Sequence, residues 1–259
     1  MSAPTTETTS GAGSLAGRTA IVTGAASGIG EATARAFAAE GATVTVADIN
    51  QEAAESLAQQ IGGTAWVADL SDTAALEEIS LDAEILVNNA GIQRIAPIHE
   101  FDPENWRFIN RLMLEAPFLL MRAVLPGMYQ RGFGRIINIS SIHGLVASPF
   151  KSAYITAKHG LQGLSKVAAL EGAEHGVTSN CINPSYVRTP LVEQQIADQA
   201  RTNNIPEDEV LEKIMLANSP VKRLVEPAEV ASLATWLASD HAGMVTGASY
   251  AMDGAWTAR

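Results

Sequence analysis

Cysteine is almost absent from this chain. Cys181 stands alone among 259 residues, so no internal disulfide framework is available and the composition suits a reducing compartment. It lies in an apolar, strand-like run and reads as a core residue rather than a nucleophile. Basic charge is also scarce, with 17 Lys and Arg against 28 Asp and Glu and a net charge of -11. Nothing basic is clustered enough to replace the counterions of a phosphate backbone, which argues against a nucleic-acid partner. Long hydrophobic runs are missing as well. No apolar stretch reaches membrane-spanning length, and the opening MSAPTTETTSGA has neither the basic start nor the apolar core of a signal peptide. The expectation is a cytoplasmic protein with no membrane partner and no metal, with a flexible segment over residues 1–14 ahead of one domain over residues 15–259.

A hydrophobic content of 47% is enough to bury the core of one large α/β domain. Apolar runs of strand length alternate with helical patterns, which is the signature of βαβ units around a parallel sheet. The runs are TAIVTG, ATVTVAD, TAWVADL, EILVNNAG, GRIINIS, VTSNCIN and ASYAMDG. Helices are expected to begin near Gly28, Gln51, Asp72, Pro103, Ala153 and Pro227, several of them opened by proline or an acidic residue. Residues 190–220 break the alternation and read as helical pieces over the strand ends, a candidate lid.

Gly24, Gly28 and Gly30 fall between the first β-run and an amphipathic helix. There they permit a tight turn, close backbone approach to a pyrophosphate and anion binding at a helix N-terminus. Asp48 closes the next strand, where a carboxylate can accept ribose hydroxyls and repel a 2'-phosphate, favouring NAD over NADP. The alternative is that Asp48 merely caps the following helix. Farther along, Tyr154 and Lys158 are four residues apart in SAYITAKHG, on one face of an expected helix. An ammonium beside a phenol favours the phenolate, and a pKa drop of about 3 units corresponds to roughly 4 kcal/mol. Taken alone, the pair could equally be two exposed residues on a surface helix. Ser141, just past GRIINIS, sits at a C-terminal strand end, where such folds bind ligands.

TGAASGIG, Asp69, the NNAG of residues 88–91, Ser141, Tyr154 and Lys158 together resemble, in order and spacing, the short-chain dehydrogenase/reductase family, from about Leu15 onward. The resemblance implies a single-domain Rossmann fold, a seven-stranded parallel sheet with helices on both faces and a helical lid. It also implies a dinucleotide site containing Ser27, Ile29, Ile49, Asp69, Leu70, Asn88, Ala90, Gly91, Pro184, Val187 and Thr189, in addition to the glycines, Asp48, Tyr154 and Lys158. Ser185 stands where the family usually has glycine. In the implied reaction Tyr154 takes the alcohol proton, Ser141 holds the reacting oxygen, and Lys158 lowers the tyrosine pKa and binds the nicotinamide ribose.

One family position departs. Met113 occupies the place of the asparagine whose main-chain carbonyl, in the family, holds a relay water. Pro117 lies four residues later and has no N–H to donate, so it can free the Met113 carbonyl. The alternatives are that Met113 simply packs beside an incidental kink, or that Asn110 supplies the amide.

SSIHGLVAS, KSAYITAKHG, VRTPLVEQQI and DGAWTAR are similar to the branch of the family formed by bacterial 3-hydroxybutyrate dehydrogenases. That resemblance implies a substrate carboxylate held by Gln93, His143, Lys151 and Gln195, with Tyr186 and Trp256 walling the apolar end. In that branch a tryptophan is usual where Tyr186 stands. The expected reaction is NAD-dependent interconversion of (R)-3-hydroxybutyrate and acetoacetate by a homotetramer. Another short hydroxy acid or hydroxyketone, and a weakly active NAD-binding sensor, are the alternatives.

Overall fold

The structure is a computed structural model that describes residues 13–190, 192, 193, 196, 200 and 205–258. Most of the expected flexible start, residues 1–12, lies outside the described residues, and so does Gln195. Seven strands form one sheet: β1 Thr19–Thr23, β2 Thr43–Asp48, β3 Thr64–Val67, β4 Ile85–Asn88, β5 Gly134–Ile139, β6 Val177–Pro184 and β7 Ser249–Met252. Their order is β3-β2-β1-β4-β5-β6-β7. Every pairing is parallel, with Val22 opposite Val46 on one side and Val87 on the other. All seven expected runs are therefore strands. Strands β4, β5 and β6 are buried along their whole length, β4 as an apolar run and β5 and β6 with polar side chains such as Asn138, Ser179 and Asn180 buried among apolar ones.

Helices cover both faces. On one side α1 (Gly28–Ala39), α2 (Gln51–Ile61) and α8 (Pro227–Ala238) pack Phe37, Leu57 and Leu237 against Val22, Val46 and Val87. On the other, α3 (Thr73–Leu76), α5 (Ala116–Arg131) and α6 (Ser152–Gly172) bring Leu76, Leu120, Met128 and Leu161 onto Leu86 and Ile136. Helix α4 (Pro103–Asn110) runs into α5 through one wide π-turn, Arg111–Glu115. Helix starts follow local chemistry: Asn50 accepts the Ala53 N–H at 3.2 Å, and Asp102 accepts the Glu104 N–H at 3.0 Å beside Pro103. Within the expected lid, α7 (Glu207–Val210) continues into a second π-turn, Leu211–Met215. Val210, Met215 and Leu216 bury themselves there with Tyr186 and Leu224, so this excursion carries a small core of its own.

Candidate active site

The carboxyl ends of β1 and β4 diverge where the strand order reverses, and a cleft of about 390 Å³ opens above them. Its floor requires glycine. Gly24 adopts φ 60°, and a Cβ there would lie 2.8 Å from the Ala90 Cα; a Cβ on Gly30 would lie 2.1 Å from the Gly24 carbonyl oxygen. Gly28 opens α1, whose first-turn N–H groups have no partner within the helix and face the cleft mouth beside Ser27 and Ile29. Asp48 accepts the Ala26 N–H and the Asn50 N–H, each at 2.9 Å. The cap of α2 is Asn50 itself, so Asp48 ties the glycine loop to the end of β2 and faces the cleft. Ile49, Asp69, Leu70, Ala90, Gly91, Pro184, Val187 and Thr189 also line it.

Asn88 does not line the cleft. Its side chain donates to Asn138 at 2.9 Å inside the sheet, because alternate residues at a strand end point to opposite sides. Asn89 takes the wall position instead, bonding the Thr23 and Gly24 carbonyls at 2.9 and 3.0 Å. Thr23 returns the contact, its hydroxyl accepting the Asn89 and Ala90 N–H groups. Neither Asn89 nor Thr23 was singled out by the sequence reading, although the doubled asparagine of NNAG was the available signal. Ser140, Phe108 and Leu112 are further wall residues without such a signal, and Ser185, which stands where the family usually has glycine, lines the wall beside them.

At the inner end Ser141, Tyr154 and Lys158 meet. Ser141 caps a short turn, Ile142–Gly144, and its Oγ accepts the His143 N–H at 3.1 Å. One helical turn separates Tyr154 from Lys158, and the ammonium lies 5.6 Å from the phenol ring centroid. It donates to the Ile139 carbonyl at 2.6 Å. Burial brings Lys158 down to about 8. Tyr154 is pushed up, first by burial, against an opposing hydrogen bond from Ser141. This is opposite in direction to the expected depression: the ammonium is directed at a strand-end carbonyl, and desolvation of the phenol outweighs the Ser141 hydrogen bond. Cys181 is buried, and burial lifts its thiol to about 11, as befits a core residue.

Met113 falls within the π-turn. There the Ala116 N–H reaches back to Arg111, and Pro117 has no N–H for either the Met113 carbonyl at i-4 or the Leu112 carbonyl at i-5. The Met113 side chain is buried and packs toward Gly91 at the cleft wall. Asn110 is directed elsewhere: its amide donates to the Trp106 carbonyl at 2.8 Å on the exposed side of the helix, which removes it as the source of the missing amide.

Next to Tyr154 lies a compact pocket of about 80 Å³ that gathers Gln93, His143, Lys151 and Tyr186 with Ser141, Ser185 and Val192. Trp256 stands behind this wall instead of lining it, stacked on Tyr186 and edge-on to His143, with ring centroids 6.3 and 6.1 Å away. The turn that brings it there is held by Asp253, which accepts from the Ala255 and Thr257 N–H groups. Lys151 is buried, 8% exposed, and has no hydrogen-bond or ion-pair partner among the described residues; burial lowers its pKa. The Gln93 Oε1 is buried and unpaired as well. His143 is held at about 4, by burial first and then by the charges of Lys151 and His159. No group of three or more His, Cys, Asp or Glu suited to a metal occurs among the described residues. No described helix is long and apolar enough to cross a membrane.

A family model described as enoyl-(acyl carrier protein) reductase matches residues 24–257. The chain belongs to the short-chain dehydrogenase/reductase family. Among its relatives within this family is the D-beta-hydroxybutyrate dehydrogenase of Rhizobium meliloti, 45% identical over 93% of this chain and 99% of the relative. That of Cupriavidus necator is 44% identical over 95% and 100%. A solved structure of a candidate 2-deoxy-D-gluconate 3-dehydrogenase from Agrobacterium tumefaciens, with NADP bound, superposes at a TM-score of 0.83 with 34% identity, covering 95% of this chain and 98% of that one. This short-chain dehydrogenase is an oxidoreductase, and the seven-stranded parallel sheet is the fold its family resemblance implied.

Proposed function

We propose that the protein oxidises (R)-3-hydroxybutyrate to acetoacetate with NAD, and catalyses the reverse reduction. The observation that carries this reading is the buried Lys151 ammonium in a small pocket beside Tyr154, which among the described residues has the Tyr186 ring 5.5 Å away but no hydrogen-bond or ion-pair partner. An unpaired buried cation is costly, and a bound carboxylate offsets that cost. Gln93 and His143 add neutral polar groups on the same wall, and Gln195 is part of the proposal through its place in the sequence. A cavity of about 80 Å³ suits a short acid better than a sugar acid. The two hydroxybutyrate dehydrogenases among the relatives support the same choice.

The cleft fits a dinucleotide. Its glycine floor leaves no room for Cβ atoms, and a helix N-terminus faces it. Gly24, Ser27, Gly28 and Ile29 would hold the pyrophosphate, Asp48 and Ile49 the adenosine ribose, Asp69 and Leu70 the adenine, and Pro184, Val187 and Thr189 the nicotinamide end. The structural relative carries NADP, so the choice of NAD rests on this chain's own Asp48, whose carboxylate faces the cleft and opposes a 2'-phosphate. When bound, NAD supplies the hydride acceptor. Ser141 would then hold the substrate oxygen, Tyr154 as phenolate would take the alcohol proton, and Lys158 would hand a proton on to solvent water held at the Met113 carbonyl. Lys151 fixes the acid so that C3 faces the cleft. A cytoplasmic location and a homotetramer belong to the same reading. Tyr186, in place of the tryptophan of the hydroxybutyrate branch, favours a second reading in which another short hydroxy acid is the substrate.

Turnover with NAD across a series of hydroxy acids tests both readings. Lys151→Ala should lower kcat/KM on 3-hydroxybutyrate tenfold or more, a charge-assisted contact being worth about 1.5 to 3 kcal/mol. An uncharged secondary alcohol should lose much less. Equal losses on the two substrates would refute carboxylate recognition.

A further inference from the structure

His143 is gripped by two hydroxyls. Its Nε2 lies 2.8 Å from the Ser148 Oγ, and its Nδ1 lies 3.5 Å from the Ser141 Oγ. Ser148 is half-buried in the loop ahead of α6 and does not line the substrate pocket, whereas Ser141 and His143 do. The two nitrogens therefore have different jobs: Nε2 faces the scaffold and Nδ1 faces the chemistry. A neutral imidazole carries a single N–H, and burial beside Lys151 keeps this ring neutral around pH 7. If the proton sat on Nε2, a lone pair would face the pocket. That lone pair would repel an anionic substrate and compete for the Ser141 proton. With the proton on Nδ1, the pocket gains a donor and the Ser141 hydroxyl stays available to the reacting oxygen.

We propose that Ser148 is a positioning residue whose hydroxyl donates to the His143 Nε2 and so fixes the tautomer in which Nδ1–H faces the substrate pocket. Ser148 has no other hydrogen-bond partner among the described residues, so its proton is free for Nε2. Ser141 favours the same tautomer: its hydroxyl donates toward the Pro184 carbonyl 3.5 Å away, so its Oγ, which already accepts the His143 N–H at 3.1 Å, has a lone pair left for a protonated Nδ1. The benefit to an anionic substrate rests on the carboxylate reading above; the tautomer does not.

The test is nitrogen NMR on histidine-15N-labelled full-length protein near pH 7, with the His143 signals assigned by their disappearance in His143→Gln. The wild-type protein should show a protonated, pyrrole-type Nδ1 and a pyridine-type Nε2. Ser148→Ala should move the ring toward Nε2–H, and Ser148→Thr, which keeps the hydroxyl, should restore the wild-type pattern. In parallel, Ser148→Ala should raise KM for 3-hydroxybutyrate several-fold while kcat changes little. A wild-type Nε2–H ring overturns the proposal without need of any variant, as does an unchanged Nδ1–H ring in Ser148→Ala. A tautomer shift with KM unchanged would uphold the positioning role of Ser148 and remove His143 from the carboxylate site.

Discussion

Asp48 does two things with one carboxylate. It holds the glycine loop through the Ala26 N–H and presents negative charge to the cleft, where in the proposed function it would oppose a ribose phosphate. Asp48→Ala should therefore weaken binding of both dinucleotides and narrow the preference for NAD. An unchanged ratio of kcat/KM for NAD and NADP would reject the repulsive role. His143 carries a consequence for stability. Its ring is held at about 4 in the folded chain against an ordinary 6.5, so between those values the unfolded chain binds more protons. The protein should thus lose stability as pH falls from 6.5 toward 4, by at most about 1.4 kcal/mol per pH unit from this one ring, and this residue should have no effect above 6.5. Denaturant midpoints measured across that range for wild type and His143→Gln should converge toward low pH; parallel curves would count against a buried neutral ring.

Helix α4 and helix α5 meet at the π-turn, and the sequence showed only half of that junction. Pro117 announced a missing N–H, but the wide turn depends on Ala116 choosing Arg111 as its acceptor, which is a tertiary outcome. Pro117→Ala restores a donor opposite Met113, so turnover should fall while NAD binding stays nearly intact. Full activity in that variant would remove the Met113 carbonyl from the proton path. The same boundary between legible and illegible runs through the other elements. Strands β4 to β6 could be read because each carries a short local apolar stretch, residues 85–87, 136–137 and 181–182, even though Asn138, Ser179 and Asn180 are buried polar residues among them. The glycine loop and the Tyr154 to Lys158 spacing were legible for a similar reason: each is fixed by geometry within a few residues. Asn88 points away from the cleft because alternation along β4 gives that face to Asn89, and the register of β4 on β5 then sets Asn138 beside it as its partner. Trp256 was expected in the pocket wall, yet it stands one layer back, since only the folded-back turn around Asp253 determines how far it reaches. The balance of charge on Tyr154 was illegible altogether, because burial is a property of the finished fold.

Several large apolar side chains of the described residues are exposed, and some of them fall on the helices and at the last strand. Trp106 and Phe118 on α4 and α5 lie with Val167 and Leu170 on α6 among the exposed large hydrophobics, Leu170 at 80% exposure. Trp236 on α8 and Met244 ahead of β7, at 97%, are exposed as well. Apolar side chains exposed in these places suit the interfaces of a dimer of dimers, so light scattering at micromolar concentration should give a tetramer mass. A monomer would leave them without a role and overturn the assembly. The strand order has a further consequence, for the route by which the chain reaches this state. Because every neighbour is parallel, no hairpin can nucleate the sheet, and β1 must find β4 across the span from Ala20 to Ile85. The halves β3-β2-β1 and β4-β5-β6-β7 grow outward in opposite directions from that seam. The dinucleotide cleft belongs to the seam and to neither half. During refolding, helical signal should return well before the capacity to bind a nucleotide. A nucleotide added at the outset can then act only on the closing of the seam, as a trap for the last event and not a template for the first.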